Sequence, residues 1–237
     1  HLGNPANALY VFLHVGSSPL SNEVVSAVGL LACSGLYWLY SFSVKPLVWL
    51  QRLLLALIAA MGVVFVTMVS LAYSVDTIVT WSLPTVPISL WLNALMGGPL
   101  LAAITLYAAQ WRALAGRFGL MLMAAPFVAL AANTVVYIVQ GGQLGGVANS
   151  VVAAADLVPH YHTMLLAFAL MCFAGCVLAA FTMHAVSREA VAHGGGELAF
   201  SKRVLVRLLV SCLLVFAGVF IMRFAFYMMH LTVGLAV

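Results

Sequence analysis

Polar and charged positions in this chain fall in short clusters, and long apolar stretches separate them. Six stretches, roughly 24–43, 47–73, 87–109, 118–139, 162–183 and 204–230, reach the length of helix needed to cross a bilayer, about 20 residues. The runs are continuous and do not alternate with period two, so they predict helices and not barrel strands. The pattern predicts an all-α fold, a polytopic transmembrane helix bundle with six spans in this chain. Residues 1–237 read as a single transmembrane helical domain.

The placement of charge gives an orientation. Lys45 and Arg52 flank the first connection, Arg112 and Arg117 the third, and Arg188, Lys202, Arg203 and Arg207 the fifth. The other two connections, 74–86 and 140–161, hold Asp76 and Asp156 and no Lys or Arg. Cytoplasmic connections are the ones enriched in Lys and Arg. Residues 1–23 and the C-terminus are therefore expected at the outer face, periplasmic in a Gram-negative inner membrane. His1, His14, His160, His162 and His230 fall at that face; His184 and His193 fall at the cytoplasmic one.

Composition agrees with the pattern. Only 6% of the 237 residues are charged and 65% are apolar, with a mean hydropathy of +1.17. Soluble domains carry about a quarter charged residues, so a globule of this composition could not cover its own surface. The net charge of +4 follows from the cytoplasmic connections and calls for no nucleic-acid partner. Cys33, Cys172, Cys176 and Cys212 all lie in apolar runs and read as small apolar residues. Cys172 and Cys176 share a helix face, which leaves a metal or redox pair as the alternative.

Candidate chemistry collects at the outer face. Arg223 is the one basic residue deep in a span, and an arginine there costs about 2–3 kcal/mol to insert. Either it snorkels to the headgroups, or it faces a polar pocket and pairs with an acid or a ligand oxygen; Glu23 is the natural acid. Arg223, Tyr227 and His230 are spaced four and three apart and share one stripe of a helix. Glu23 follows Ser21 and Asn22 and reads either as part of a capped helix start or as a proton-taking carboxylate. His1 opens a stretch broken by Gly3 and Pro5, which predicts a loop or a helix exit. Gly97-Gly98 and Gly141-Gly142 read as close-packing sites within spans.

Five segments carry a resemblance: HLGNPANA followed by LSNE, DTIVTW at 76–81, MGGPLL at 96–101, VVAAADLVP at 151–159 and FYMMHLTVGLAV at 226–237. In this order and spacing the sequence resembles the membrane anchor subunits of dimethyl sulfoxide reductase, the anchor family of molybdopterin oxidoreductases. That family has eight spans, with the HLG motif after the second. The resemblance thus implies that two helices precede this chain in the full-length protein. It implies that His1 and Glu23 serve menaquinol binding and oxidation. Arg223, Tyr227 and His230 join the quinol-binding set on the helical stripe alone.

The resemblance further implies menaquinol or menaquinone as bound substrate, with no metal or covalent cofactor in this chain. An iron–sulfur subunit and a molybdopterin catalytic subunit are the implied partners, beside the lipid bilayer. Anaerobic respiration is the setting. A quinol needs a polar acceptor near each hydroxyl and apolar walls, and an imidazole can take the proton near neutral pH. Two rivals remain: a di-haem cytochrome b-type anchor, which needs histidine pairs within spans, and a small-molecule transporter, which favours polar groups at the midplane. The outer connections 1–22, 74–86 and 140–161, with Tyr10, Phe12, Trp81, Val151 and Val152, are the expected docking surface for the soluble partner.

Overall fold

A computed structural model describes residues 5–149, 151–192 and 200–232. Seven α-helices are found among them: α1 (Pro19–Tyr40), α2 (Val48–Ala72), α3 (Thr85–Ala108), α4 (Arg117–Leu144), α5 (Ala154–Leu157), α6 (Tyr161–Ala192) and α7 (Lys202–Met228). Six of them, all but the short α5, are long and apolar enough to cross a membrane, as the pattern predicts. Residues Pro5–His14 form a 3₁₀ helix where a loop or a helix exit was expected. The protein gathers into two compact units, residues 1–75 and 76–237.

In the first unit α1 packs against α2. A Cβ on Gly29 would lie 2.7 Å from the terminal methyl of Met61, so the small residue sets how near the helices come. The turn between them is tied by the Leu47 N–H, which donates to the Tyr40 hydroxyl at 2.7 Å. Helix α1 begins earlier than the apolar pattern suggests. Ser18, and not Ser21 or Asn22, is its N-cap, followed by Pro19 at the first helical position. The Asn22 side chain instead accepts from the Gly16 N–H at 2.6 Å, and Gly16 takes φ of +86°, which a residue with a side chain rarely adopts. Glu23 is thereby carried past the first turn, into the helix body.

In the second unit the four long helices pack in a ring: α3 on α4, α4 on α6, α6 on α7, and α7 on α3. Small residues decide the closest approach. A Cβ on Gly175 would lie 2.7 Å from the Ser211 carbonyl oxygen, and one on Gly218 would lie 2.6 Å from Cys172 Sγ. Cys172, Cys176 and Cys212 are buried and free, and no group of three or more metal-ligating side chains occurs among the described residues. Cys172 packs in the α6–α7 seam, opposite Gly218, with its thiol donating to the Val215 carbonyl at 3.5 Å. Of the expected packing glycines, Gly97 meets Phe216 and Gly141 meets Tyr161, whereas Gly98 and Gly142 have nothing within 4 Å.

The two ends of this unit differ. At the basic end, the Ser201 N–H donates to the Tyr107 hydroxyl at 2.9 Å and Phe200 stacks on the Tyr107 ring, so the start of α7 is pinned to α3. At the acidic end, named for Asp76 and Asp156, residues 78–80 pair with residues 229–232. Val79 N–H donates to the Leu231 carbonyl at 3.1 Å, and Ile78 bridges Thr232 antiparallel. The Thr80 hydroxyl donates to the Met229 carbonyl and accepts from the Leu231 N–H, so this buried hydroxyl closes the clasp.

Candidate functional site

The clasp sets the geometry of the acidic end. Trp81 follows Thr80 directly and is held over the end of α7. Its indole N–H donates to the Phe226 carbonyl at 3.0 Å, and its ring stacks on Phe226 with centroids 4.6 Å apart. The His230 ring stands edge-on to Trp81 at 5.1 Å and the Tyr227 ring edge-on at 6.0 Å. Helix α7 stops at Met228, so His230 reaches this cluster from the paired segment beyond the helix and not from a continued helical stripe. Phe226, Tyr227 and His230 thus gather around one indole.

Arg223 lies one turn below. Its guanidinium carbon is 4.4 Å from the Phe226 ring centre and 5.5 Å from that of Tyr227, the i+3 and i+4 neighbours on the helix. Cation–π contacts of this kind stabilise by about 0.5–2 kcal/mol, more as water is excluded. They hold the cation partly buried at membrane depth, against the insertion cost that makes such an arginine rare. Tyr227 and His230 are exposed, so the cluster opens outward from a buried floor of Phe226 and Met229.

A polar network that the sequence pattern did not single out reaches the floor of this cluster through Gln140 and Met229. Asn133 Nδ2 donates to Asn93 Oδ1 at 2.8 Å, and Asn93 Nδ2 donates to the Tyr137 hydroxyl at 3.1 Å. The Tyr161 hydroxyl donates to the Tyr137 carbonyl at 2.8 Å, and Gln140 Nε2 reaches Met229 Sδ at 3.5 Å. The signal was present: Asn93 and Asn133 are amides within apolar spans, and polar side chains there pair across helices. Nothing in the one-dimensional pattern says which amide meets which.

Arg223 and Tyr227 meet in the second unit as their i, i+4 spacing suggested, whereas the expected helical stripe does not extend to His230: α7 ends at Met228, and His230 joins the cluster through Trp81. Glu23 belongs to the first unit, where it is half-buried as the fifth residue of α1. His1 and His193 lie outside the described residues. His14, His160, His162 and His184 are exposed. Trp81 was expected to face a partner, but its ring is committed to α7; Tyr10, Phe12 and Val151 are exposed at 58%, 44% and 78%.

These features define a class: a multi-span α-helical membrane protein with an arginine–aromatic cluster and a buried amide network toward one end. The protein belongs to the family described as DMSO reductase anchor subunit (DmsC), whose family model matches residues 1–229. It is 34% identical over 239 residues to the C subunit of anaerobic dimethyl sulfoxide reductase from Escherichia coli K12, a match that covers 100% of this sequence and 77% of that protein. It is 32% identical to the YnfH subunit of anaerobic dimethyl sulfoxide reductase from the same organism, with the same coverage. The corresponding C subunit of Haemophilus influenzae is 29% identical over 165 residues, 69% of this sequence and 58% of that one. No solved structure matches the sequence.

Proposed function

We propose that this protein is the quinol-oxidising anchor of a molybdopterin-dependent, dimethyl sulfoxide-type reductase in the bacterial inner membrane. The observation that carries the reading, beside family membership, is the Arg223 guanidinium held on Phe226 and Tyr227 under Trp81 and His230. A flat ring with an oxygen at each end suits such a cluster: the aromatic faces pack the ring, and Arg223 donates to an oxygen. Menaquinol gives up two electrons and two protons on oxidation. His1 and Glu23 are the proposed proton acceptors, because an imidazole and a carboxylate can each take a proton and pass it to water. The electrons leave for an iron–sulfur subunit, which hands them to the molybdopterin subunit; apolar side chains offer no redox centre of their own. Orientation follows the charge asymmetry, with the acidic end and the C-terminus periplasmic.

The test uses the assembled complex in membranes. A His1→Arg variant is assayed with a menaquinol analogue and with reduced viologen, a dye that reduces the soluble subunits directly. Quinol-driven reduction should fall by about 10²- to 10⁴-fold, the usual loss for one acid–base group, while dye-driven reduction persists. Normal quinol activity, or equal loss of both, rules the assignment out.

A further inference from the structure

Asn133 is fully buried, and its Oδ1 finds no hydrogen-bond partner among the described residues. Its Nδ2 is occupied twice, by Asn93 Oδ1 at 2.8 Å and by Met96 Sδ at 3.9 Å. Turning the amide over would set oxygen against oxygen at Asn93. Reversing both amides would move the shortfall from an acceptor to an N–H pair, and orphaned buried N–H groups are the rarer kind. The structure shows the first sense, in which each close contact pairs a donor with an acceptor. Asn133 donates, Asn93 Oδ1 accepts, and Asn93 can offer only N–H outward. One of its amide hydrogens goes to Tyr137; the other has no acceptor among the described residues.

Asn93 is also the accessible member. It is partly exposed, whereas Asn133 and Tyr137 are buried. It lies eight residues into α3, about 12 Å below the start of the helix. A water-soluble ligand gains nothing at that depth. A lipid-soluble ring with one hydrogen-bonding oxygen does, because the alternative in the bilayer is an oxygen with no donor.

We propose that Asn93 is a further ligand-touching residue of the quinol site, donating an amide N–H to one ring oxygen, with Asn133 as the positioning residue that fixes its direction. This rests on the quinol-oxidising reading. During oxidation a ring C–O–H becomes C=O, losing its hydrogen and gaining acceptor strength; a donor held in place favours that change. Asn93 moves no proton and no electron. The two electrons leave one at a time for the iron–sulfur clusters of the partner subunit, and the two protons go to the acid–base groups.

The experiment takes Asn93→Ala, Asn133→Ala and the double variant in the assembled membrane complex, with quinol-driven and viologen-driven reduction measured side by side. Asn93→Ala should raise KM for the menaquinol analogue about three- to ten-fold, the value of about one hydrogen bond, and leave dye-driven activity intact. Asn133→Ala should give a smaller rise in the same direction. The double variant should be no worse than Asn93→Ala, because Asn133 acts through Asn93. Asn93→Leu, which keeps the size but carries no donor, should reproduce the Asn93→Ala KM. An unchanged KM in Asn93→Ala, additive effects in the double variant, or parallel loss of dye-driven activity in both Asn93 variants overturns the inference. Quinol-driven activity absent from the unsubstituted complex overturns the proposed function itself.

Discussion

Trp81 holds Phe226 twice, by an indole N–H on its carbonyl at 3.0 Å and by a ring stacked on its side chain at 4.6 Å. The carbonyl belongs to the last turn of α7, where acceptors lack an intrahelical donor. One side chain from a connection therefore caps the helix, covers its aromatic floor and braces the residue that carries Arg223.

The two contacts separate by mutation. Trp81→Phe keeps a ring and loses the N–H, and should lower stability by about 1 kcal/mol. Trp81→Ala loses both and should cost about 3–5 kcal/mol. Unfolding midpoints in detergent, read by denaturant titration, check the order. Equal effects would mean that the ring does not pack there.

The seam between α6 and α7 should tolerate no added carbon. Gly175→Ala and Gly218→Ala place a methyl 2.7 Å from the Ser211 carbonyl and 2.6 Å from Cys172 Sγ, and each should cost about 1–3 kcal/mol. Gly98→Ala and Gly142→Ala meet nothing within 4 Å, and should be neutral or stabilising by up to about 1 kcal/mol through helix propensity. The same unfolding titration ranks the four.

Much of the helix pattern was legible because it needs only length and hydropathy. All six spans fall where the apolar runs lie, with ends shifted by a few residues; α6 runs nine residues past the expected end, to Ala192. The start of α1 was misplaced because Pro19 and Ser18 make a helix start that apolar content does not reveal. The Arg223–Tyr227 pairing was legible from spacing, since it is local to one helix. The partners of that pair were not. Trp81 is 145 residues from Phe226 in sequence and Asn93 is 44 from Tyr137, and such contacts follow from how helices pack and not from any periodicity. Each glycine doublet held one close-packed member, Gly97 on Phe216 and Gly141 on Tyr161, but nothing in the doublet told which, and Gly175 and Gly218 stand outside any doublet; what decides is the atom opposite each Cα.

Orientation is checked with a membrane-impermeant thiol reagent on intact cells. Val151 is 78% exposed in the 145–160 connection and Val44 is 95% exposed between α1 and α2. Val151→Cys should label from outside, and Val44→Cys only after permeabilisation. The reverse result would invert the proposed topology.

The central claim is that Arg223 serves quinol and not structure alone. Its most direct measurement is the ratio of menaquinol-driven to viologen-driven reduction in membranes carrying Arg223→Gln beside the unsubstituted complex. Gln retains hydrogen-bonding capacity and loses the charge, and a charged hydrogen bond contributes about 1.5–3 kcal/mol. The ratio should fall by at least about ten-fold, with dye-driven reduction and the amount of assembled complex unchanged. A ratio equal to that of the unsubstituted complex would contradict it.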